Sequence, residues 1–412
     1  MKKRLLNIYS EYFYPEMAST GQLMSELARG LSERGFDVRA ITNQPNYQGH
    51  KGVELPKREV VDGVSIIRIL ATRFFKDNLA LRLINWLSFS VSAFFYSIFK
   101  RRPDGEVSLF LSNPPILPLV GLLLRKLKGE KYVVLLHDIY PDMGVALDIV
   151  GENNLFARLW ERANSRIYDN AEKVIVLGKG MRNTLLSKSV YSLSESDIAV
   201  IHNWEDPDFI TPKSKSDNQF AKENGYVSKM VVLYSGNLGQ HHDLETLIQA
   251  AGLVESLPIQ FVFIGEGAQK AKLRHMVNSK NLENVDFHPY QPREKLPDTL
   301  TCGDISVVSE DKRAEGLCVS SKLYSSLAAG NAILGLVGSE SDVAQVISEG
   351  DCGLRADQGD YKKLAEHLRH WLDNKEELEE MGRNARKHFE RNFTLDRAVG
   401  NYAKLLQEVA EK

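Results

Sequence analysis

Cysteine is nearly missing from this chain of 412 residues: there are three, Cys302, Cys318 and Cys352, an odd number without the close spacing of metal ligands. That excludes a disulfide framework and a thiolate zinc site, and it fits a reducing compartment. Net charge is scarce too. With 52 lysines and arginines against 54 acidic residues, nothing drives the whole chain toward nucleic acid, so any basic patch is local. Repeats and low-complexity tracts are absent. Met1-Lys2-Lys3-Arg4 runs into Leu5-Leu6-Asn7-Ile8-Tyr9, an apolar stretch too short for the core of a signal peptide, so a cytoplasmic location is expected. No long apolar run is free of polar residues. The nearest, Leu83 to Phe99, carries Asn85, Ser88, Ser90, Ser92 and Ser97.

What that stretch does have is a pattern. On a helical wheel Asn85, Ser88 and Ser92 form a stripe opposite Leu83, Leu87, Val91, Phe94 and Ile98, and Lys100-Arg101-Arg102 follows at once. A second apolar run, Ile116 to Leu124, ends in Arg125-Lys126-Leu127-Lys128. Two apolar segments that each finish in cations suit a protein lying on an anionic membrane surface. The same pattern suits a pair of core helices with solvated ends.

Short β-branched runs alternate with helical patterns along the rest of the chain. Leu5–Tyr9, Val38–Thr42, Ser65–Leu70, Val107–Leu111, Tyr132–Leu136 and Val174–Leu177 read as strands of a first sheet. Val231–Tyr234, Gln260–Ile264, Val285–Phe287, Ile305–Val308 and Ala332–Leu336 read as a second. Strands separated by helices imply parallel sheets of the doubly wound kind. A polar, proline-marked passage, Asn203 to Asp208 and then Thr211 to Asn218, separates the two series and places a domain boundary there. The length also calls for two domains. Helices over Tyr361–Trp371, Lys375–Arg391 and Leu395–Glu411 close the chain.

Candidate chemistry sits where strands end. Ser19, Thr20 and Gly21 follow the first strand and open a helix, with Ser19 and Gln22 spaced as a capping box and Gly21 able to admit a ligand close to the backbone. His137-Asp138 follows Tyr132–Leu136, and a neutral imidazole there can hydrogen-bond a sugar hydroxyl while the carboxylate orients it; a structural histidine fits the same position. Ser235-Gly236-Asn237-Leu238-Gly239 runs from a strand into a loop whose N–H groups can face a pyrophosphate, and His241-His242-Asp243 comes next. Adjacent side chains of that kind do not make a metal site without further ligands. Gly265-Glu266-Gly267 is a second strand-to-glycine turn, too short for a dinucleotide fingerprint. The charged segment Ser309 to Gly316 leads to Ser320-Ser321-Lys322, where a short helix starts, with Leu323 and Leu327 on one face and Gly330 just past its end. A lysine in a first helical turn costs roughly 0.3–1 kcal/mol unless an anion is bound. Free N–H groups, two hydroxyls and an ammonium together describe a phosphate site, or else a solvated lysine at a frayed end.

These residues resemble the retaining glycosyltransferases of family 4, which have the two-domain GT-B fold, over essentially the whole chain. The likeness lies in the Pro15-to-Gly35 segment, the Ser235–Gly239 loop, the Gly265-Glu266-Gly267 turn, Tyr290-Gln291-Pro292, Glu315 through Gly330, and a last helix after Phe393-Thr394 that looks like the family's crossing helix. Many members keep an arginine and a lysine where this chain has Asn237 and His242, and a ribose-binding glutamate where it has Ser325; Glu315 is off the usual spacing. The Ser-Lys-Leu start matches a subgroup of fucosyl- and N-acetylfucosaminyl-transferases of bacterial colanic acid, capsule and O-antigen assembly, with Ser320 where its members usually have proline.

The resemblance implies an α/β protein of two Rossmann-like, doubly wound parallel-sheet domains facing a cleft. Residues 1–205 with the crossing helix 393–412 would take the acceptor and the membrane side, and residues 206–392 the nucleotide sugar. It implies a UDP-sugar donor, a lipid-diphosphate-linked saccharide acceptor at the inner face of the plasma membrane, and neither metal nor cofactor. Gly236, Gly239, Asn237, Ser321 and Lys322 would hold the diphosphate, Ser325 would lie near the ribose and Tyr290 near the base, with Glu266 and Glu315 among the other nucleotide-binding residues. His137 would face the sugar and Gly21 the meeting point of donor and acceptor, so that His137, Asn237 and Lys322 carry the reaction. The most specific substrate implied is N-acetyl-L-fucosamine from its UDP form, transferred with retention by front-face attack. A nucleotide-sugar 2-epimerase of GT-B type, or a non-catalytic sugar-nucleotide-binding membrane subunit, would share most of these features.

Overall fold

A computed structural model of the chain describes residues 4–16, 19–45, 54–74, 79–100, 105–151, 154–240 and 242–412. Two compact units emerge, residues 1–202 with 395–412, and residues 203–394. Arg101, Arg102 and His241 lie outside the described residues.

The first unit is built on eight strands: β1 (Arg4–Tyr9), β2 (Phe36–Thr42), β3 (Arg58–Val61), β4 (Val64–Arg68), β5 (Val107–Leu111), β6 (Lys131–Leu136), β7 (Lys173–Val176) and β8 (Ile198–Val200). Their order is β3-β4-β2-β1-β5-β6-β7-β8, parallel throughout except for the β3–β4 hairpin at one edge. That hairpin turns on Asp62-Gly63, both with positive φ (49° and 76°), as a two-residue turn matched to strand twist requires. β5 is buried at every residue, as expected of a strand covered on both faces. In the core the Tyr9 and Phe110 rings stack at 4.3 Å. Helix α1 (Ser19–Glu33) packs on the final helix, Leu395–Glu411, so closely that a Cβ on Gly30 would lie 2.7 Å from the Val399 side chain.

Helices α2 (Leu79–Ile98) and α3 (Pro118–Lys128) pack on each other in this unit. α2 is long and apolar enough to cross a membrane by length and composition, with a mean hydropathy of 1.3. Its polar stripe is turned inward. Asn85 bonds the Phe74 backbone on both sides, Ser88 accepts from the Thr72 N–H, and Ser92 donates to the Leu70 carbonyl. Of the apolar stripe, Leu83, Leu87 and Val91 are exposed while Phe94 and Ile98 are half-buried; Phe95 is exposed too, as are Leu119, Leu123 and Leu127 of α3 at helical spacing. The cations behave otherwise than their sequence suggests. Lys100 forms a buried ion pair with Glu106 and also donates to Asn7, Lys128 donates to the last carbonyls of α2, and Arg125 pairs with Glu172. Among the described cations of these two helix ends, Lys126 stays exposed while Lys100, Lys128 and Arg125 are taken up by partners within the unit.

The second unit has six strands, all parallel: β9 (Met230–Ser235), β10 (Ile259–Ile264), β11 (Val285–His288), β12 (Ile305–Ser309), β13 (Ala332–Leu336) and β14 (Gly353–Ala356), in the order β11-β10-β9-β12-β13-β14. The chain leaves β9 toward one edge and returns at β12 to build the other. Such a switch point opens a crevice beyond the carboxyl ends of β9 and β12, where ligands of open α/β sheets bind. Arg386 ties this unit's ends together, donating to the carbonyls of Pro207, Ile210 and Ala328 at 2.7–3.0 Å. The glycine at the end of the Lys322–Ala328 helix, Gly330, has φ of +74°.

Candidate active site

Beyond β9 the chain enters Gly236 with φ of 132°, and beyond β10 it enters Gly265 at 142° and Gly267 at 156°. These conformations let two loops interlock without side chains between them: a Cβ on Gly265 would stand 2.0 Å from the Gly236 carbonyl oxygen, and one on Gly267 would stand 2.4 Å from that of Leu238. The interlock uses backbone groups expected to face a ligand. The Gly236 N–H donates to the Ile264 carbonyl at 2.8 Å and the Leu238 N–H to the Glu266 carbonyl at 2.8 Å. Gly236 therefore offers no free N–H to a phosphate. What it offers is room, because a Cβ there would lie 2.7 Å from Cε of Lys322.

Lys322 fills that notch. Its Nζ sits 5.4 Å from the centre of the Tyr234 ring, at cation–π range, and 3.3 Å from Nε2 of His242. Nδ1 of His242 lies 2.7 Å from the Ser309 carbonyl oxygen at the end of β12. A carbonyl only accepts, so Nδ1 carries the proton and Nε2 accepts from the lysine. Burial lowers Lys322 to about 8 and raises Glu310, the residue after β12, to about 7. Glu310 accepts from the Ser320 N–H. The pocket thus holds an ammonium whose desolvation is only partly offset.

The other expected residues of this unit are placed as follows. Asn237 and Ser321 are exposed beside the loop and the helix start, and the Asn237 carbonyl accepts from the Tyr234 hydroxyl at 2.8 Å. Ser321 occupies the helix N-cap but makes no capping bond, contrary to the capping role expected of these serines. The Ser325 hydroxyl donates back to the Lys322 carbonyl at 3.2 Å. A Cβ on Gly239 would stand 2.8 Å from the Asn237 amide nitrogen. Glu266 pairs with Lys270 at 2.6 Å. Tyr290 is 57% exposed. Glu315 is committed elsewhere, accepting from the Gly338 N–H at 2.6 Å and from Gln358 at 2.9 Å, so its carboxylate organises the loop after β13. Among the described residues no three of His, Cys, Asp and Glu gather as metal ligands do. A cavity of about 870 Å³ opens at the opposite, amino-terminal end of this sheet, remote from Lys322.

In the first unit His137 and Asp138 follow β6, and their N–H groups point at the Ser112 hydroxyl oxygen, 3.0 and 3.4 Å away. Nε2 of His137 is buried without a hydrogen-bond partner among the described residues. Burial holds this histidine down at about 4 and pushes Asp138 up to about 6. No hydrogen bond joins the His137 ring to Asp138 among the described residues, so the carboxylate does not orient the imidazole as expected. Gly21 is buried in α1, where a Cβ would lie 3.2 Å from the Glu16 carbonyl oxygen. Gln22 turns its amide nitrogen forward to Glu26 at 3.2 Å.

Glu310 was expected only as one of several charges in the Ser309–Gly316 segment, while Tyr234 and the bond from Lys322 to His242 were not expected. The aromatic at the end of β9 and the acid at the end of β12 were the available signals, since neighbouring parallel strands deliver such residues to one place.

Comparison with known proteins agrees with this fold. The profile described as Glycosyl transferase 4-like domain matches residues 20–204, and that described as Glycosyl transferases group 1 matches residues 215–388. A protein named for colanic acid biosynthesis glycosyl transfer, WcaI of Escherichia coli K12, is 29% identical over 344 residues, 79% of this chain and 82% of its own. Among solved structures, sucrose-phosphate synthase of Thermosynechococcus elongatus superposes with a TM-score of 0.78 at 17% identity over 98% of this chain and 99% of its own. HepE of Anabaena, solved in complex with UDP and glucose, superposes at 0.73 and 12% identity over 98% of this chain and 100% of its own.

Proposed function

Because this chain is a glycosyltransferase with the GT-B fold, we propose that it moves a sugar from a UDP-sugar to a lipid-diphosphate-linked saccharide in bacterial surface polysaccharide assembly, with N-acetyl-L-fucosamine as the sugar. The observation that carries the donor assignment is Lys322: a half-buried ammonium, held at the switch point of the second sheet, with no carboxylate within salt-bridge distance among the described residues. The HepE complex with UDP and glucose supports a nucleotide-sugar donor, and the WcaI likeness supports a polysaccharide setting. The outward apolar faces of α2 and α3 support work at the inner face of the plasma membrane, where a lipid-linked acceptor resides.

In this reading the bond between the anomeric carbon and the β-phosphate oxygen breaks, and the acceptor oxygen bonds the same face of that carbon. The acceptor's proton passes to the departing diphosphate, and UDP leaves. Lys322 stabilises the charge that gathers on the diphosphate, and Asn237 and Ser321 stand beside it as uncharged donors. His137, kept neutral near pH 7 by burial, is assigned the hydrogen bond to a sugar hydroxyl. Neither metal nor cofactor is assigned a step.

The test is transfer from a panel of UDP-, GDP- and dTDP-sugars to undecaprenyl-diphosphate-linked saccharides, with the anomeric configuration of the product read by NMR. A retained linkage formed from a UDP-sugar is the expected result. Turnover without any acceptor would favour an epimerase, and donor binding without transfer a binding subunit.

A further inference from the structure

We infer that His242 is the positioning residue for Lys322, an assignment that rests on the donor-phosphate reading of Lys322 given above. A lysine side chain carries much rotamer freedom, and an ammonium that wanders must be ordered when the anion arrives, at the expense of affinity. Three features restrain Lys322. The Gly236 notch receives its stem, and the Tyr234 ring lies beneath its charge. These two limit where the ammonium sits but give it no direction. Nε2 of His242 supplies the direction, because a lone pair accepts along one line.

The imidazole can do this because it is itself fixed. Nδ1–H is spent on the Ser309 carbonyl at 2.7 Å, which sets both the tautomer and the ring plane. The ring also meets Tyr234 edge-on, with centroids 5.9 Å apart at 62°. Ser309 ends β12 and Tyr234 lies near the end of β9, so two adjacent strands brace the histidine that aims the lysine. His242 acts on the diphosphate through Lys322.

UDP binding to the full chain, measured by calorimetry, tests this. His242→Ala should weaken UDP about tenfold, the scale of one lost hydrogen bond to a charged group. His242→Gln places an amide oxygen near the Nε2 position and should restore affinity to within about threefold of wild type. His242→Asn reaches the Ser309 carbonyl alone and should stay at the alanine level. In a Lys322→Ala background His242→Ala should have no further effect, because its contribution passes through the lysine. Equal affinity for the glutamine and asparagine variants, or additive losses in the double variant, overturns the inference. If Lys322→Ala by itself leaves UDP affinity unchanged, the donor-phosphate reading fails, and the role of His242 with it.

Discussion

Two groups in the Lys322 pocket change charge near neutrality. Glu310 ionises at about 7, and Lys322 loses its proton at about 8, both displaced by burial. Raising the pH from 7 to 9 therefore completes the ionisation of Glu310, about half a negative charge, and removes most of the positive charge of Lys322, and both changes weaken attraction for a diphosphate. His137, held at about 4, stays neutral over that range and contributes no step. We expect UDP affinity to fall by about tenfold or more between pH 7 and 9, on the arithmetic of one charge-assisted contact. Lys322→Ala should flatten the upper part of the curve and Glu310→Gln the lower part, and a level wild-type profile in calorimetry would contradict the assignment. The sequence pointed to Lys322 as a candidate because its motif is local: serines, a lysine, a helix face and a closing glycine within a dozen residues. It could not disclose that the Gly236 N–H is already taken by Ile264, or that Glu315 is bound to Gly338 and Gln358. Those partners come from other strands, and only the sheet order brings them together.

At the scale of elements, the eleven strands expected from β-branched runs are all present, and the three that were missed, β3, β8 and β14, are short strands at sheet edges. Edge strands bury fewer side chains, so selection for apolar residues in them is weak. Even so, Asp62-Gly63 between Val61 and Val64 is a hairpin signal in its own right. The wheel for α2 set the polar stripe apart from Leu83, Leu87 and Val91 but misplaced Phe94 and Ile98, which are half-buried, and it carries no information about which face is inward. The Phe74, Thr72 and Leu70 backbone decided it by offering hydrogen bonds to the polar stripe. The membrane prediction changes accordingly. Replacing both Leu87 (58% exposed) and Phe95 (55% exposed) by glutamate should abolish binding to vesicles while leaving the melting temperature close to wild type. With Lys100 and Lys128 bound internally, wild-type vesicle binding should survive an increase in salt from 0.1 to about 0.5 M that would screen a purely electrostatic dock. Salt-released binding, or full binding by the double variant, would return these helices to a structural role.

Across the whole molecule, the last helix belongs to the first unit although the second unit intervenes in sequence. Its buried residues Ala398, Val399, Tyr402, Ala403, Leu405, Leu406 and Val409 complete a core that α1 begins. The larger of these side chains contribute about 1.5–3 kcal/mol each, a total comparable to the entire stability of a domain. A chain ending at residue 394 should therefore lose the cooperative melting of the first unit and aggregate, whereas a two-step thermal profile with the first unit intact would show that the helix is dispensable.

The ends of the second unit meet one another. Glu205 and Thr394 form a parallel bridge, and the Glu205 N–H donates to the Phe393 carbonyl at 3.1 Å, so the outgoing and returning chains run side by side at the moment of crossing. In the terms of gene construction, residues 203–394 are a cassette with abutting ends. A few glycines and serines joining His202 to Leu395 would close the first unit over the gap, and the excised piece could be grown alone or exchanged for the corresponding piece of a relative, carrying the Lys322 pocket with it as a single inherited part.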